Sequence, residues 1–79
     1  MTNLEKYNQL LADILQLNIN EIKYAEFKKT PSWDSIGHMT LVASLEDSFD
    51  ILLETEDLMA IKSYQDGIEI LSKNYKIKF

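Results

Sequence analysis

The sequence contains no cysteine, so it can build no disulfide framework, no thiolate metal site and no catalytic thiol. Histidine occurs once, at His38, and a metal site would therefore have to be nearly all carboxylate. No partner stands at zinc-ligand spacing, and no metal site is expected. Unbroken apolar runs reach only three or four residues, as at Leu58 to Ile61, which is far too short to span a bilayer. The N-terminal residues lack a basic stretch followed by an apolar one, which argues against a signal peptide and for a cytoplasmic protein. Two glycines and one proline are the only strong punctuation, and no repeat, low-complexity tract or linker is visible. Residues 1–79 are expected to form one small domain, near the lower size limit for a core without staples. A stability of about 4–12 kcal/mol suits that length.

Cationic charge is scarce where it would matter most. Four acids balance four lysines from Met1 to Lys29, but from Thr30 to Asp66 eight acids face Lys62 alone. The net charge of −5 is thus concentrated mid-chain. An acidic centre disfavours nucleic acid and anionic lipid, both of which need a cationic footprint. It suits basic protein surfaces, or else a solvated face that keeps the chain soluble.

What the chain does have is helical periodicity. Thr2 and Glu5 stand at capping-box spacing ahead of Leu4, Tyr7, Leu11, Ile14 and Leu15, which predicts a first helix from about Asn3 to Gln16. From Leu17 onward apolar residues (Ile19, Ile22, Tyr24, Phe27) recur without a period, predicting a long loop with one helical turn at Glu21 to Lys23. A loop of that length in so small a domain points either to function or to a missed element. Pro31 closes the loop. After Ser35, residues Leu41, Val42, Leu45 and Phe49 define one face of a helix ending near Ser48, with Ile36, Met39 and Ala43 on an adjacent strip. Thr55 is expected to cap a short turn over Glu56 to Ile61, and Ser63 with Asp66, at capping-box spacing again, to begin a last helix turning Tyr64, Ile68, Leu71 and Tyr75 inward. With no convincing period-two alternation, the reading is all-α: a four-helix bundle with a long loop between helices 1 and 2 and a short third helix.

Ser35 invites two readings. Its hydroxyl could be the N-cap of the second helix, or, exposed at the positive end of the helix dipole, a place to attach a phosphate ester. Catalysis by Ser35 with His38 and Asp34 is disfavoured. There is no G-x-S-x-G elbow, little room for a substrate pocket, and an i,i+3 helical pair turns both groups outward. No catalytic residue is therefore expected. The acids Glu46, Asp47, Asp50, Glu54, Glu56 and Asp57 lack the glycine-centred turn of a calcium loop. Ile36 and Met39 beside Glu46 and Asp47 read as a docking surface, apolar in the middle and acidic at the rim, with semi-buried packing as the alternative. Gly37 carries a helix penalty of about 1 kcal/mol relative to alanine. Its expected benefit is close approach by a ligand or partner.

The run W-D-S-I-G-H-M entering an apolar helix that ends L-E-D-S-F-D-I, followed by T-E-D-L and I-K-S-Y-Q-D-G-I-E-I-L, resembles the acyl carrier and peptidyl carrier protein family over essentially the whole chain. The resemblance implies a 4′-phosphopantetheine arm on Ser35, transferred from coenzyme A by a phosphopantetheinyl transferase and carrying acyl or aminoacyl groups as thioesters. It implies that Asp34 helps the transferase engage through its magnesium ion. It also implies that Ile36, Met39, Ala43, Glu46 and Asp47 are read by loading and transfer enzymes bearing basic patches. Such a carrier imports its sulfur, and is expected to be a monomeric non-enzyme. Thr40 stands where fatty-acid carriers often have a carboxylate, and Gly37 and His38 replace a more acidic pair. With Trp33, these departures resemble free-standing carriers of specialised or surface-carbohydrate pathways, and peptidyl carriers; a carrier dedicated to D-alanine or other amino acids is a further hypothesis. The competing reading is a small helical protein-interaction domain in which Ser35 serves only as helix N-cap.

Overall fold

A computed structural model of residues 1–79 contains four α-helices and no strand: α1 (Asn3–Leu15), α2 (Ser35–Phe49), α3 (Thr55–Ala60) and α4 (Tyr64–Asn74), with a 3-10 turn at Ile22–Tyr24. The architecture is the all-α four-helix arrangement with a short third helix read from periodicity.

Helix α1 begins at a complete capping box. Thr2 Oγ1 accepts the Glu5 amide at 3.1 Å, and the Thr2 amide donates to Glu5 Oε1 at 2.9 Å. It ends one residue before the expected Gln16, which adopts a left-handed conformation (φ 57°) and donates its amide to the Ala12 carbonyl. Tyr7, Leu11, Ala12 and Leu15 form its buried stripe, while Leu4 stays at the surface. Helix α2 runs back along α1, with Lys6 Nζ donating to the Ser48 carbonyl at 3.0 Å and lying 5.0 Å from the Phe49 ring centroid. Leu41, Val42 and Leu45 are buried and Phe49 half-buried, as the periodicity requires.

Two caps differ from expectation. Thr55 is the first residue of α3, and Glu54, the N-cap, makes no side-chain capping bond. The Glu54 amide instead donates to the Tyr75 hydroxyl at 2.7 Å, so a residue from α4's end does the work a local cap would do. At α4, Ser63 Oγ accepts the Asp66 amide at 3.1 Å, but the Asp66 carboxylate accepts from the Lys62 amide, one residue earlier than in a capping box. Tyr64 and Leu71 turn inward as expected, whereas Ile68 and Tyr75 are half-buried.

The long loop is ordered by its own bonds and by three buried residues, Ile22, Ala25 and Trp33. Its 3-10 turn lies one residue later than expected and packs against α1 and α4. From Glu26 to Trp33 the chain closes on itself: Thr30 donates to the Glu26 carbonyl (2.9 Å) and Lys28 to the Trp33 carbonyl (2.8 Å). The Phe27 amide donates to the Lys62 carbonyl at 2.8 Å, fastening this loop to the linker between α3 and α4. Trp33, fully buried, plugs the loop into the core immediately before Asp34 and Ser35.

Candidate functional site

Asp34, not Ser35, is the N-cap of α2. Its backbone is extended, and its Oδ1 accepts the Gly37 amide at 2.8 Å while its carbonyl accepts that of His38 at 2.8 Å. Ser35 is the first residue of the helix and is exposed. The reading in which Ser35 only caps the helix is thereby corrected. Asp and Ser are both strong N-cap formers and stand side by side, so composition could not choose between them. The consequence is chemical. The Ser35 hydroxyl is released from capping duty, and the amides of Ser35 and Ile36 remain as the helix end's open donors.

Gly37 explains how tightly this corner is built. A Cβ placed on it would stand 2.0 Å from the Ser32 carbonyl oxygen. The close approach expected at Gly37 is therefore made by the protein's own backbone, which folds the loop onto the first turn of α2. Trp33 from below and Gly37 from the side hold Ser35 in place.

His38 lies one turn into α2 and faces inward, so the expectation that Ser35 and His38 both turn outward holds for Ser35 only. Trp33 Nε1–H donates to His38 Nδ1 at 3.0 Å, and His38 Nε2 lies 2.7 Å from the Leu58 carbonyl oxygen. An indole N–H only donates and a carbonyl only accepts, so the ring is held as the neutral Nε2–H tautomer. The Phe27 ring packs against it, centroids 5.2 Å apart. Both ring nitrogens are thus committed to structure, leaving neither for a metal or for Ser35. No spacing rule pairs Trp33 or the Leu58 carbonyl with His38. A tryptophan in an aperiodic loop five residues before a lone histidine was the available signal.

The residues expected to dock partners occupy one side of α2. Ile36 is 80 % exposed and Met39 54 %, and Ala43 and Asp47 are exposed further along the same strip. Glu46 is different. It is half-buried, and its Oε2 accepts the Leu53 amide at 2.8 Å, bracing the turn from α2 into α3. Leu52, 82 % exposed beyond that turn, lines a shallow depression with Ala43, Asp47, Asp50 and Ile51 and extends the apolar strip past what helical periodicity could indicate.

No protein-family model matches the chain. The acyl carrier protein of Syntrophus aciditrophicus (strain SB) is 35% identical to it over 72 residues, 90% of each chain. The chain belongs to the acyl carrier protein family. Acyl carrier proteins of Buchnera aphidicola subsp. Schizaphis graminum (28% identical over 78 residues, 96% of this chain and 99% of that one) and Petrotoga mobilis (27% over 74 residues, 92% and 87%) align along nearly their whole lengths as well. This acyl carrier protein is a carrier rather than an enzyme. None of its helices is long and apolar enough to cross a membrane.

Proposed function

We propose that Ser35 bears a 4′-phosphopantetheine arm and that the protein carries acyl or aminoacyl groups on it as thioesters, delivering them to partner enzymes. The observation that carries this reading is the exposed Ser35 hydroxyl at the first residue of α2, freed by the Asp34 cap. The arm supplies the thiol that the cysteine-free chain lacks. A phosphopantetheinyl transferase would form the phosphodiester on Ser35 Oγ by breaking the pyrophosphate bond of coenzyme A, releasing adenosine 3′,5′-bisphosphate and the hydroxyl proton. The open amides of Ser35 and Ile36 would then hold the negative charge.

The helix dipole contributes only about 0.3–1 kcal/mol there, too little to select one serine among several. Selection is therefore assigned to the surface the transferase reads: Asp34, Ile36 and Met39, with Ala43, Glu46, Asp47 and Leu52 beyond them. Asp34 has two roles in this reading. Its Oδ1 caps the helix, and its carboxylate charge would meet the transferase's magnesium ion. Exposed acids along α2 and the turn after it would steer basic patches on loading and transfer enzymes.

Incubation with coenzyme A and a broad-specificity transferase, followed by intact-mass measurement, tests the reading. Wild type is expected to gain one phosphopantetheine and Ser35→Ala none. A wild-type protein that stays unmodified, or a Ser35→Ala protein that is modified, rules the attachment out.

A further inference from the structure

An apolar cleft of about 350 Å3 opens beside Ser35 between α2 and α3, lined among others by Phe27, His38, Met39, Leu58, Met59 and Ile61. Its rim is exposed at Met39 and Met59, and its floor is buried at His38 and Ile61. Behind the floor lies Trp33, joined to His38 and through it to Leu58 by the two hydrogen bonds already described. This relay straps the loop, α2 and α3 together at the seam nearest Ser35.

The strap matters because α3 contributes no buried side chain of its own. Half-buried Leu58 packs against the core, and polar bonds supply the rest of its hold. At its N-terminal end the Tyr75 hydroxyl donates to Asp57 Oδ2 at 2.7 Å and accepts the Glu54 amide; at its C-terminal end His38 satisfies the Leu58 carbonyl. Lifting α3 away from α2 at the cleft would strand the His38 Nε2–H and the Leu58 carbonyl. A chain entering there would also have to displace Trp33, Leu41, Leu45 and Ile61, whose side chains already fill the interior.

We infer that the Trp33–His38–Leu58 strap keeps the carried group out of the helical interior, so that the protein carries acetyl-sized or polar acyl groups, aminoacyl groups among them, in preference to medium- and long-chain fatty acyl groups. The inference rests on Ser35 bearing the arm. A long apolar chain is driven to leave water, but here its path from the cleft inward is closed by a satisfied hydrogen-bond relay. A short or polar group has little apolar surface to hide and remains in the cleft or in solvent.

The test uses the full chain, loaded by a broad-specificity transferase from acetyl-coenzyme A or octanoyl-coenzyme A. Trp33 is the only tryptophan, so one indole N–H signal in a nitrogen-15 NMR spectrum reports on the strap. That signal is expected to superimpose in the acetyl and octanoyl forms. Hydroxylamine is expected to cleave both thioesters at rates within about twofold, each normalised to the same group on free pantetheine. His38→Gln, whose amide can accept from Trp33 and donate to Leu58, should behave as wild type. His38→Leu can do neither; it should shield the octanoyl thioester several-fold and lose the wild-type indole position. A shifted indole signal with a shielded octanoyl thioester in the wild-type protein overturns the inference, and a folded His38→Leu protein that shields neither group overturns the assignment to the strap. Should His38→Leu fail to fold, the wild-type comparison decides alone. Failure to load any arm is read beforehand in the intact mass, and overturns the Ser35 assignment itself.

Discussion

Tyr7 lies inside the bundle with its hydroxyl donating to the Tyr64 carbonyl at 2.7 Å, and burial, reinforced by Tyr64 and Asp66, pushes its titration far above the ordinary value of 10.0. Tyr64 and Tyr75 are raised too, chiefly by burial. A group that holds its proton more tightly when folded stabilises the fold fully below its unfolded value and loses that contribution as pH climbs toward the folded one. The helical signal in circular dichroism is therefore expected to stay flat through neutrality and collapse in a transition beginning above pH 10. Tyr7→Phe should move that transition to higher pH, at a cost near neutrality of about 0.5–1.5 kcal/mol for the lost bond. An unchanged alkaline midpoint would show that Tyr7 does not govern it. A Cβ on Gly67 would stand 2.1 Å from the same hydroxyl, which accounts for a glycine inside α4. Neither residue announces this pairing in sequence, because 60 positions separate them.

Helix α2 concentrates the functional geometry in its first turn. Asp34→Ala removes the cap and should cost about 0.5–2 kcal/mol, whereas Asp34→Asn keeps an acceptor and should leave stability nearly unchanged. If the carboxylate charge serves the transferase, both variants load slowly, and urea denaturation beside loading rates separates the two roles. Normal loading of Asp34→Asn would assign Asp34 to capping alone. Gly37→Ala should be harsher than its helix propensity suggests, since the new methyl meets the Ser32 carbonyl rather than solvent. A loss of about 1–3 kcal/mol is expected, with slower loading as Ser35 shifts. A stabilised Gly37→Ala protein would contradict the tight corner. The start of α2 was legible in sequence to within one residue, yet that residue decides whether the Ser35 hydroxyl is a cap or is free.

Across the whole molecule, buried and exposed apolar residues on α2 have separate duties. Leu45→Ala should cost about 2–5 kcal/mol as a truncation in the filled core. Met39→Ala should alter stability little and lower turnover with partner enzymes more. Equal losses in thermal unfolding would place Met39 in the core instead. Helix number and order followed from the apolar period, since an amphipathic helix records most of its own burial in spacing, whereas Leu4, Ile68 and Tyr75 lie further out than the period alone suggests. The long loop did not, because Ile22, Ala25 and Trp33 are buried by contacts distant in sequence and obey no period.

The sequence alone determined the all-α class, the cysteine-free chemistry, the acidic centre and the serine at the head of the second helix, each a property of composition or of neighbours within a turn. Only the tertiary structure decided that Asp34 caps and Ser35 is free, that Gly37 makes room for Ser32, that Glu46 braces a turn, and that His38 straps α3 to Trp33. Those choices depend on which backbone groups are left unpaired when distant segments meet. Ser35 owes its exposure to a loop whose anchor, Trp33, is fully buried two residues away.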